Sequence, residues 1–229
     1  MSLLFRKILP ALLFLLLANS IFAQQNSVGY VRFVNAIGEK GKMVLRMNGE
    51  PVNTKGYAGG DYTGGVGLKT GKYEFTFEHP AAEEDLDLDV KIVDGVTTTY
   101  VAYLKPKKDK DGKLVAQEIA IEELEPMEPG GASVTAFSVC GERKLLPLEL
   151  VTEGASKPVG IRLKPFTARK LSLNKGGDFA VAYKKKVVAS MTMAEPGNFA
   201  VVLFESVNKE GEPTVRATMF LNEEFSGRN

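Results

Sequence analysis

Residues 68–77 read Leu-Lys-Thr-Gly-Lys-Tyr-Glu-Phe-Thr-Phe, and they contain the clearest structural signal in the sequence. Gly71 is a typical turn residue, because glycine adopts backbone angles that other residues avoid. From Tyr73 to Phe77 aromatic residues alternate with polar ones, so one face of an extended segment would be apolar and the other polar. The stretch therefore predicts a turn followed by a half-buried β-strand.

The same pattern occurs a second time, where Leu173-Asn-Lys-Gly176 precedes an aromatic strand from Phe179 to Tyr183. Further pairs of similar segments follow the same order in both halves of the chain. They are an opening strand (29–36 and 132–139), a second strand (42–48 and 144–151), an apolar strand (100–104 and 200–204), a turn (111–112 and 210–211) and an acidic pair (122–123 and 223–224). Chance explains one such match but not the whole ordered series, so the sequence predicts an internal duplication.

The fold class follows from the local patterns. Short strand-like runs recur through both halves with Gly, Asn or Asp between them, and no long stretch shows the apolar spacing of a helix. About seven strands in about 100 residues is typical of an immunoglobulin-like β-sandwich. We therefore expect an all-β protein with two tandem immunoglobulin-like β-sandwich domains after a signal peptide. A small β-barrel is the alternative architecture, since periodicity does not separate the two.

The boundary between the domains is expected in an acidic segment that ends in Pro-Gly-Gly131. This segment has no apolar periodicity, and its Pro and Gly residues interrupt regular structure, so it predicts a linker. We place the first sandwich at residues 24–124, the linker at 125–131 and the second sandwich at 132–229.

An export signal is predicted at residues 1–23. Arg6 and Lys7 precede an apolar run from Ile8 to Ala18, and Ala23 is a small residue suited to cleavage. The apolar run is well short of the ~20 residues that span a bilayer, although a retained anchor is the alternative. The mature protein is expected to be periplasmic or secreted, with no stable membrane span after cleavage.

Composition argues against several classes of function. The 229 residues include one His, one Cys and no Trp, and the formal net charge is +1. A zinc site needs about four Cys or His ligands, one Cys forms no internal disulfide, and a nucleic-acid binder normally has a basic excess. Cys140 follows a strand-like run, so we expect a buried, inert thiol, with an intermolecular disulfide as the alternative.

The sequence offers no catalytic constellation. His79 precedes Pro80 at the end of a strand, so we expect an exposed turn histidine. No G-x-S-x-G elbow accompanies it, and a pair of His79 with Cys140 would have to reach across two domains. We therefore expect no catalytic residue, no cofactor and a protein that is not an enzyme.

An acidic run resembles a calcium loop only at its start. Asp85, Asp87 and Asp89 fit the first ligand positions, but Val90 and Val96 stand where the loop requires Gly and Glu. A strand with aspartates on its solvent face explains the spacing, and such charges protect an edge strand from pairing with other chains. The sequence therefore predicts no metal site.

Two features are candidates for contact with a partner. The glycine-rich stretch 56–65 contains Tyr57, Asp61 and Tyr62, and tyrosines on a mobile loop would offer ring faces to a sugar or a protein. A flexible connection between strands is the alternative. Lysine-rich segments at 105–110 and 184–186 would together attract an anionic polymer, or they are solvated hairpin turns.

Two motifs carry a family resemblance. Val31-Arg-Phe-Val-Asn-Ala36 and Leu68-Lys-Thr-Gly-Lys-Tyr73 resemble a motif pair in secreted bacterial sandwich domains of unassigned function. The pair, with a tandem second domain, also resembles the periplasmic accessory proteins of alginate O-acetylation, the AlgF type. The second domain departs from the motif, because Thr135 and Val139 stand where Arg32 and Asn35 stand in the first.

This resemblance implies a non-catalytic periplasmic adaptor that assists the O-acetylation of an exported, alginate-like polysaccharide. Its partners would be envelope acetyltransferase proteins or an anionic polysaccharide, and not nucleic acid. No functional residue transfers with the resemblance. The alternative is a secreted carbohydrate- or protein-binding module, or a structural module of the cell envelope, unrelated to acetylation.

Overall fold

The computed structural model describes residues 27–124, 131–141, 145–154, 156–173, 177–193, 197–208 and 210–223. The predicted signal peptide, residues 1–23, and all but the last residue of the predicted linker lie outside these ranges. Every regular element within them is a β-strand. The strands are β1 (Val28–Asn35), β2 (Val44–Met47), β3 (Glu50–Pro51), β4 (Val66–Lys69), β5 (Gly71–Glu78), β6 (Leu86–Ile92), β7 (Thr97–Lys108), β8 (Leu114–Leu124), β9 (Ser133–Ser138), β10 (Leu146–Thr152), β11 (Val159–Leu163), β12 (Thr167–Ser172), β13 (Gly177–Tyr183), β14 (Lys186–Met193), β15 (Asn198–Val207) and β16 (Pro213–Leu221).

The first eight strands form one β-sandwich. Its inner sheet has the order β4-β1-β7-β8, and its outer sheet has the order β3-β2-β5-β6. Apolar side chains from both sheets fill the space between them, which is the core that the alternation around Tyr73–Phe77 predicted. The largest fully buried side chains of this core are Phe33, Met43, Leu45, Phe75 and Phe77.

The last eight strands repeat this arrangement. The inner sheet has the order β12-β9-β15-β16, and the outer sheet has the order β11-β10-β13-β14. In both domains the first strand pairs in parallel with the seventh, while the other strand pairs are antiparallel. The all-β prediction of two tandem sandwiches is therefore confirmed, with eight strands in each domain instead of about seven.

The hairpin turns show the duplication at atomic detail. Asp109 Oδ1 accepts hydrogen bonds from the backbone amides two and four residues later, at 3.0 and 2.8 Å. Asn208 Oδ1 accepts the corresponding two bonds in the second domain, also at 3.0 and 2.8 Å. In each turn the backbone amide of the first residue, Asp109 or Asn208, also donates a 2.9 Å hydrogen bond to the carbonyl four residues later. The two hairpins β7–β8 and β15–β16 therefore end in the same side-chain-capped turn.

A third apolar cluster lies between the two inner sheets, and we call it the seam. β1, β7 and β15 are central strands whose residues are buried on both faces. One face of each fills its own sandwich, and the other face fills the seam. The buried residues of the seam are Val34, Ala36, Val101, Tyr103 and Leu124 from the first domain, and Phe137, Val139, Ala200, Val202, Phe204 and Phe220 from the second.

The acidic strand lies where the sequence placed it. β6 is an edge strand of the outer sheet of the first domain, and its residues Asp87 and Asp89 are exposed while Val90 and Ile92 are buried. Asp87 accepts a hydrogen bond from the Thr76 hydroxyl at 2.8 Å, so it pairs with the neighbouring strand. The interpretation as a solvent-facing strand is confirmed.

Candidate functional site

The three predicted contact residues have different environments. Tyr57 is 9% exposed and belongs to the core of the first sandwich, where burial raises its pKa. Its ring therefore offers no face to a ligand in this conformation. Asp61 accepts a hydrogen bond from the Ala58 amide at 2.7 Å and so closes a tight turn. Tyr62 is 42% exposed and retains an accessible ring face.

The glycine-rich stretch is tied to the edge of the inner sheet. Asn35 donates its backbone amide to the Asp61 carbonyl at 2.9 Å, and its carbonyl accepts the Gly60 amide at 2.7 Å. The Asn35 side chain donates to the Tyr57 carbonyl at 2.9 Å. These bonds continue the pairing of β4 beside β1, so the stretch is an extension of the sheet edge and not a loose connection.

The same stretch reaches the second domain across the seam. The Tyr62 ring packs against Phe220, with 5.6 Å between ring centroids. The Arg32 guanidinium also lies over Phe220, 4.8 Å from its centroid. A Cβ on Gly60 would lie 3.4 Å from the ring of Phe204, so this position faces the second domain. Tyr62 therefore contributes to the contact between the domains.

Arg32 is the charged residue of the seam. It is 3% exposed, and burial lowers its pKa below the ordinary value, an effect that Tyr62 partly offsets. Arginine nevertheless stays charged, because its pKa lies far above neutral pH. Its guanidinium donates to the Thr99 hydroxyl at 3.4 Å on the neighbouring strand. This bond holds the guanidinium within its own sheet, while the contact with Phe220 joins it to the second domain.

The backbones of the two domains come close together just after β1. A Cβ on Gly38 would lie 1.7 Å from the carbonyl oxygen of Glu205, a separation that no side chain tolerates. The Ser206 hydroxyl donates to the Gly38 carbonyl at 3.0 Å. Gly38 therefore permits a direct contact between the backbones of the two domains.

A cleft of about 550 Å³ opens beside this contact, and we call it the interdomain groove. Residues of both domains line it, and they include Gly38, Glu39, Tyr103, Lys108, Leu114, Val139, Glu205, Val207 and Pro213. Leu114 and Val207 are 54% and 40% exposed, although both are apolar. Leu114 follows the turn of the β7–β8 hairpin and Val207 precedes the turn of the equivalent β15–β16 hairpin, so the ends of both hairpins meet at the groove.

Charges of both signs surround these apolar side chains. Glu39 and Glu205 are acidic, Lys108 is basic, and the Tyr103 hydroxyl lies in the same wall. Burial, with the nearby Glu122 carboxylate, raises the pKa of Tyr103 to about 12, so its hydroxyl stays protonated. Such a mixture of apolar and charged side chains is compatible with a surface that contacts another protein. Sequence reasoning did not find the groove, and its only signal was the repeated turn spacing at 109–113 and 208–212.

His79 is buried, which corrects the expectation of an exposed turn histidine. It is 5% exposed and follows β5, and its Nδ1 accepts a hydrogen bond from the Ala81 amide at 3.1 Å. Burial lowers the pKa of His79, with a smaller opposing effect from Glu39. Cys140 follows β9 in the other domain and is fully buried, as predicted. The two side chains therefore belong to different sandwiches.

The described residues contain no group of three or more His, Cys, Asp or Glu side chains that could hold a metal ion. Within the same part of the chain, no helix has the length and apolar character required to cross a membrane.

Comparisons with known proteins show no family for this chain. No family model and no curated protein matches the sequence. Two similar solved structures are the Bacillus anthracis TIE protein and a streptococcal ancillary pilin, each 13% identical with a TM-score of 0.23. The matches cover 77% and 76% of this chain. The chain spans 50% of the first of those proteins and 58% of the second.

Proposed function

We propose that this protein is a non-catalytic, exported adaptor that assists the O-acetylation of an exported polysaccharide. The signal-peptide pattern at residues 1–23 and the AlgF-type motifs at 31–36 and 68–73 support the cellular location and the process. The structural observation that carries the proposal is the interdomain groove. Each domain contributes an exposed apolar side chain to this groove, and a protein without a partner would not require such side chains there.

The seam supports the adaptor function because an adaptor has to hold its partners in a defined geometry. Relative motion is the usual behaviour of tandem domains unless their interface is large and apolar. Here buried side chains from both inner sheets form one cluster, and the backbones touch at Gly38 and Glu205. The groove would therefore keep its shape when a partner binds.

The partner that we propose for the groove is a protein of the acetylating machinery. Leu114 and Val207 would contact apolar side chains of that partner, and Glu39, Lys108 and Glu205 would pair with its polar groups. An exposed apolar patch framed by charges is a common marker of a protein contact. A polysaccharide, by contrast, has few large apolar groups to bury against Leu114.

The alternative function is a secreted binding module for a carbohydrate or an envelope protein, without any link to acetylation. A cavity on the second domain that is lined by Arg162, Arg169, Lys184 and Lys185 favours it, because binding of a polymer there needs no acetyltransferase. Both alternatives lack a catalytic step by this chain.

The experiment that separates the two is deletion of the gene, with the acetyl content and the yield of the exported polysaccharide measured together. The adaptor function predicts a loss of acetyl groups with an unchanged amount of polymer, restored by the wild-type gene. A membrane-bound O-acyltransferase gene and an SGNH-type acetyltransferase gene beside it would agree with this result. Unchanged acetylation after deletion would reject the adaptor and leave the binding module.

A further inference from the structure

A second cavity, of about 540 Å³, lies in the second domain between β10 and β11 of the outer sheet, the turn after β13, and Arg169 of the inner sheet. We call it the cationic cavity, because four basic side chains line it: Arg162 of β11, Arg169 of β12, and Lys184 and Lys185 of the turn between β13 and β14. All four are exposed, and they come from three separate places in the sequence. Folding therefore concentrates charge that is scattered along the chain.

Within the described residues, little negative charge lies beside these basic side chains. None of the four basic side chains forms an ion pair with another residue in the described ranges, and Glu149 is the one acidic residue that lines the cavity there. The lysine-rich hairpin of the first domain is different. There Lys107 pairs with Glu83 at 3.2 Å and with Glu118 at 3.0 Å. Of the two lysine-rich segments noted in the sequence, the one at 184–186 therefore lies in the region with the greater excess of positive charge.

The turn that presents the two lysines has an unfavourable backbone. Lys184 and Lys185 have φ angles of 49° and 65°, and they connect the paired residues Tyr183 and Lys186. A two-residue hairpin with both φ angles positive normally carries Asn-Gly, because a side chain with a Cβ is strained there. Lys184 also places its ammonium 5.4 Å from the centroid of the Tyr183 ring. Strained residues of this kind are often retained for function.

The floor of the cavity is open because of Gly160. This residue pairs with Glu149 across β10 and β11, and a Cβ built on it would meet no atom within 4 Å. Its backbone angles are ordinary, so the glycine is not needed for a turn. Pro147 pairs with Arg162 across the same two strands, so an apolar ring and a basic side chain occupy neighbouring positions.

We infer that the cationic cavity binds a carboxylate-bearing segment of an anionic polysaccharide. The guanidinium and ammonium groups would pair with the carboxylates of the polymer, with arginine able to form two parallel hydrogen bonds. The Glu149 carboxylate would accept hydrogen bonds from sugar hydroxyl groups, and the Pro147 ring would lie against an apolar sugar face. A ligand that carries both carboxylates and hydroxyl groups fits these neighbours.

Other polyanions fit less well. Glu149 lies within the cavity as a hydrogen-bond acceptor, and DNA has few free hydroxyl groups to donate to it, whereas each uronate unit carries hydroxyl groups beside its carboxylate. The inference rests on the proposed function only in taking the ligand to be an exported polysaccharide.

The test is a binding measurement by calorimetry with the purified, exported protein and a short oligouronate. A neutral oligosaccharide of the same length, single-stranded DNA and anionic phospholipid vesicles serve as competing ligands. We expect the oligouronate alone to bind, with an affinity that falls as salt is added. Replacing Arg162→Ala and Arg169→Ala together should weaken binding at least about tenfold, since each removes a charge-assisted hydrogen bond.

Two variants make the test specific. Lys110→Ala with Lys113→Ala removes the same charge from the exposed turn of the first domain and should leave the affinity unchanged. Gly160→Phe fills the floor without removing any charge and should weaken binding as strongly as the arginine pair. Circular dichroism and a melting curve confirm that each variant is folded.

Equal affinity in the wild type and the arginine variant would overturn the inference, and so would equal binding of the neutral oligosaccharide. Preferential binding of DNA or vesicles would overturn the assigned class of ligand. These outcomes can be distinguished from those of the gene deletion. If the protein is an adaptor without a polymer site, deletion of its gene would still reduce acetylation of the polysaccharide. If the protein binds the polymer but deletion of its gene leaves acetylation unchanged, only the proposed function is rejected.

Discussion

The guanidinium of Arg32 lies over the ring of Phe220, 4.8 Å from its centroid, and this contact joins β1 of the first sandwich to β16 of the second. Both residues are almost fully buried, at 3% and 2% exposure. A cation held over an aromatic ring away from water contributes about 2 kcal/mol. The pair therefore contributes to the stability of the seam.

Replacement of Phe220 by Ala is expected to destabilise the whole protein by about 3–5 kcal/mol, because it removes a buried ring that contacts Arg32 and Tyr62. Urea denaturation measures this loss of unfolding free energy. The matched control is Leu221→Ala, since Leu221 is adjacent but 43% exposed and should cost less than about 1 kcal/mol. Equal losses in the two variants would show that the seam does not contribute to stability.

Cleavage of the predicted linker should leave the two domains associated. A protease site inserted within residues 125–131 would separate the chain into two pieces without touching the seam. Because the apolar cluster is shared, we expect the cut pieces to elute together in size-exclusion chromatography. The same cut in the Phe220→Ala protein should release them. Separate elution of the cut wild-type pieces would show that the seam does not hold without the covalent connection.

Acidification should destabilise the protein through His79. Its pKa is lowered in the folded state, chiefly by burial, so the unfolded chain takes up a proton before the folded chain does. Stability is therefore lost as the pH falls below about 6.5, the ordinary histidine value. His79→Gln does not titrate and should show a smaller loss of unfolding free energy between about pH 7 and about pH 5. Because the two proteins share every carboxylate, their difference isolates His79, and a steeper loss in the variant would contradict the sign.

Charge placed in the interdomain groove should block the protein partner. Leu114→Glu with Val207→Glu introduces two carboxylates at exposed positions, so the fold should be preserved within about 1 kcal/mol. Co-purification of the acetylating machinery and the acetyl content of the polymer should both fall. Val93→Glu with Val96→Glu is the matched control, because these valines are 46% and 37% exposed and lie outside the groove. An equal effect of both pairs would argue against the groove.

The lysine turn should tolerate a sequence that suits its backbone better. Lys184→Asn with Lys185→Gly relieves the positive φ angles of 49° and 65°, so the unfolding free energy should rise by about 1 kcal/mol. Lys186→Gly serves as the control, because Lys186 is in a strand and glycine there should destabilise by about 0.5–1 kcal/mol. Thermal melting measures both. A lower melting temperature of the double variant would mean that the turn is not strained.

Much of the fold was predictable because it depends on patterns within single strands. The alternation of Tyr73–Phe77 identified the core face of β5, and the same spacing around Phe179 identified its equivalent in the second domain. The solvent-facing aspartates of β6 and the buried thiol of Cys140 followed from the same kind of reasoning. The matching turns capped by Asp109 and Asn208 agree with the internal duplication that the sequence predicted.

The candidate sites were predicted less well because they are made by contacts between distant segments. The glycine-rich stretch was a candidate contact surface or a flexible connection; in the structure Tyr57 is part of a core, and Tyr62 packs on Phe220 while staying 42% exposed. His79 was expected in solvent, but it is buried. The burial of a side chain near a turn depends on which other segment covers it, and the local sequence does not show which segment that is.

The sequence by itself determined that the chain is built from strands, that its pattern occurs twice, and which face of each amphipathic strand is apolar. The tertiary structure alone decided that the two inner sheets pack against each other, that Arg32 lies over Phe220, and that four basic side chains converge at one cavity. The physical reason is that the hydrophobic free energy depends on the apolar area removed from water and not on which surface covers it. The periodicity of a strand therefore shows which face is apolar but not what packs against that face. Which surface covers that face depends on shape and close approach, such as that of Gly38 to Glu205, and these exist only once the chain is folded.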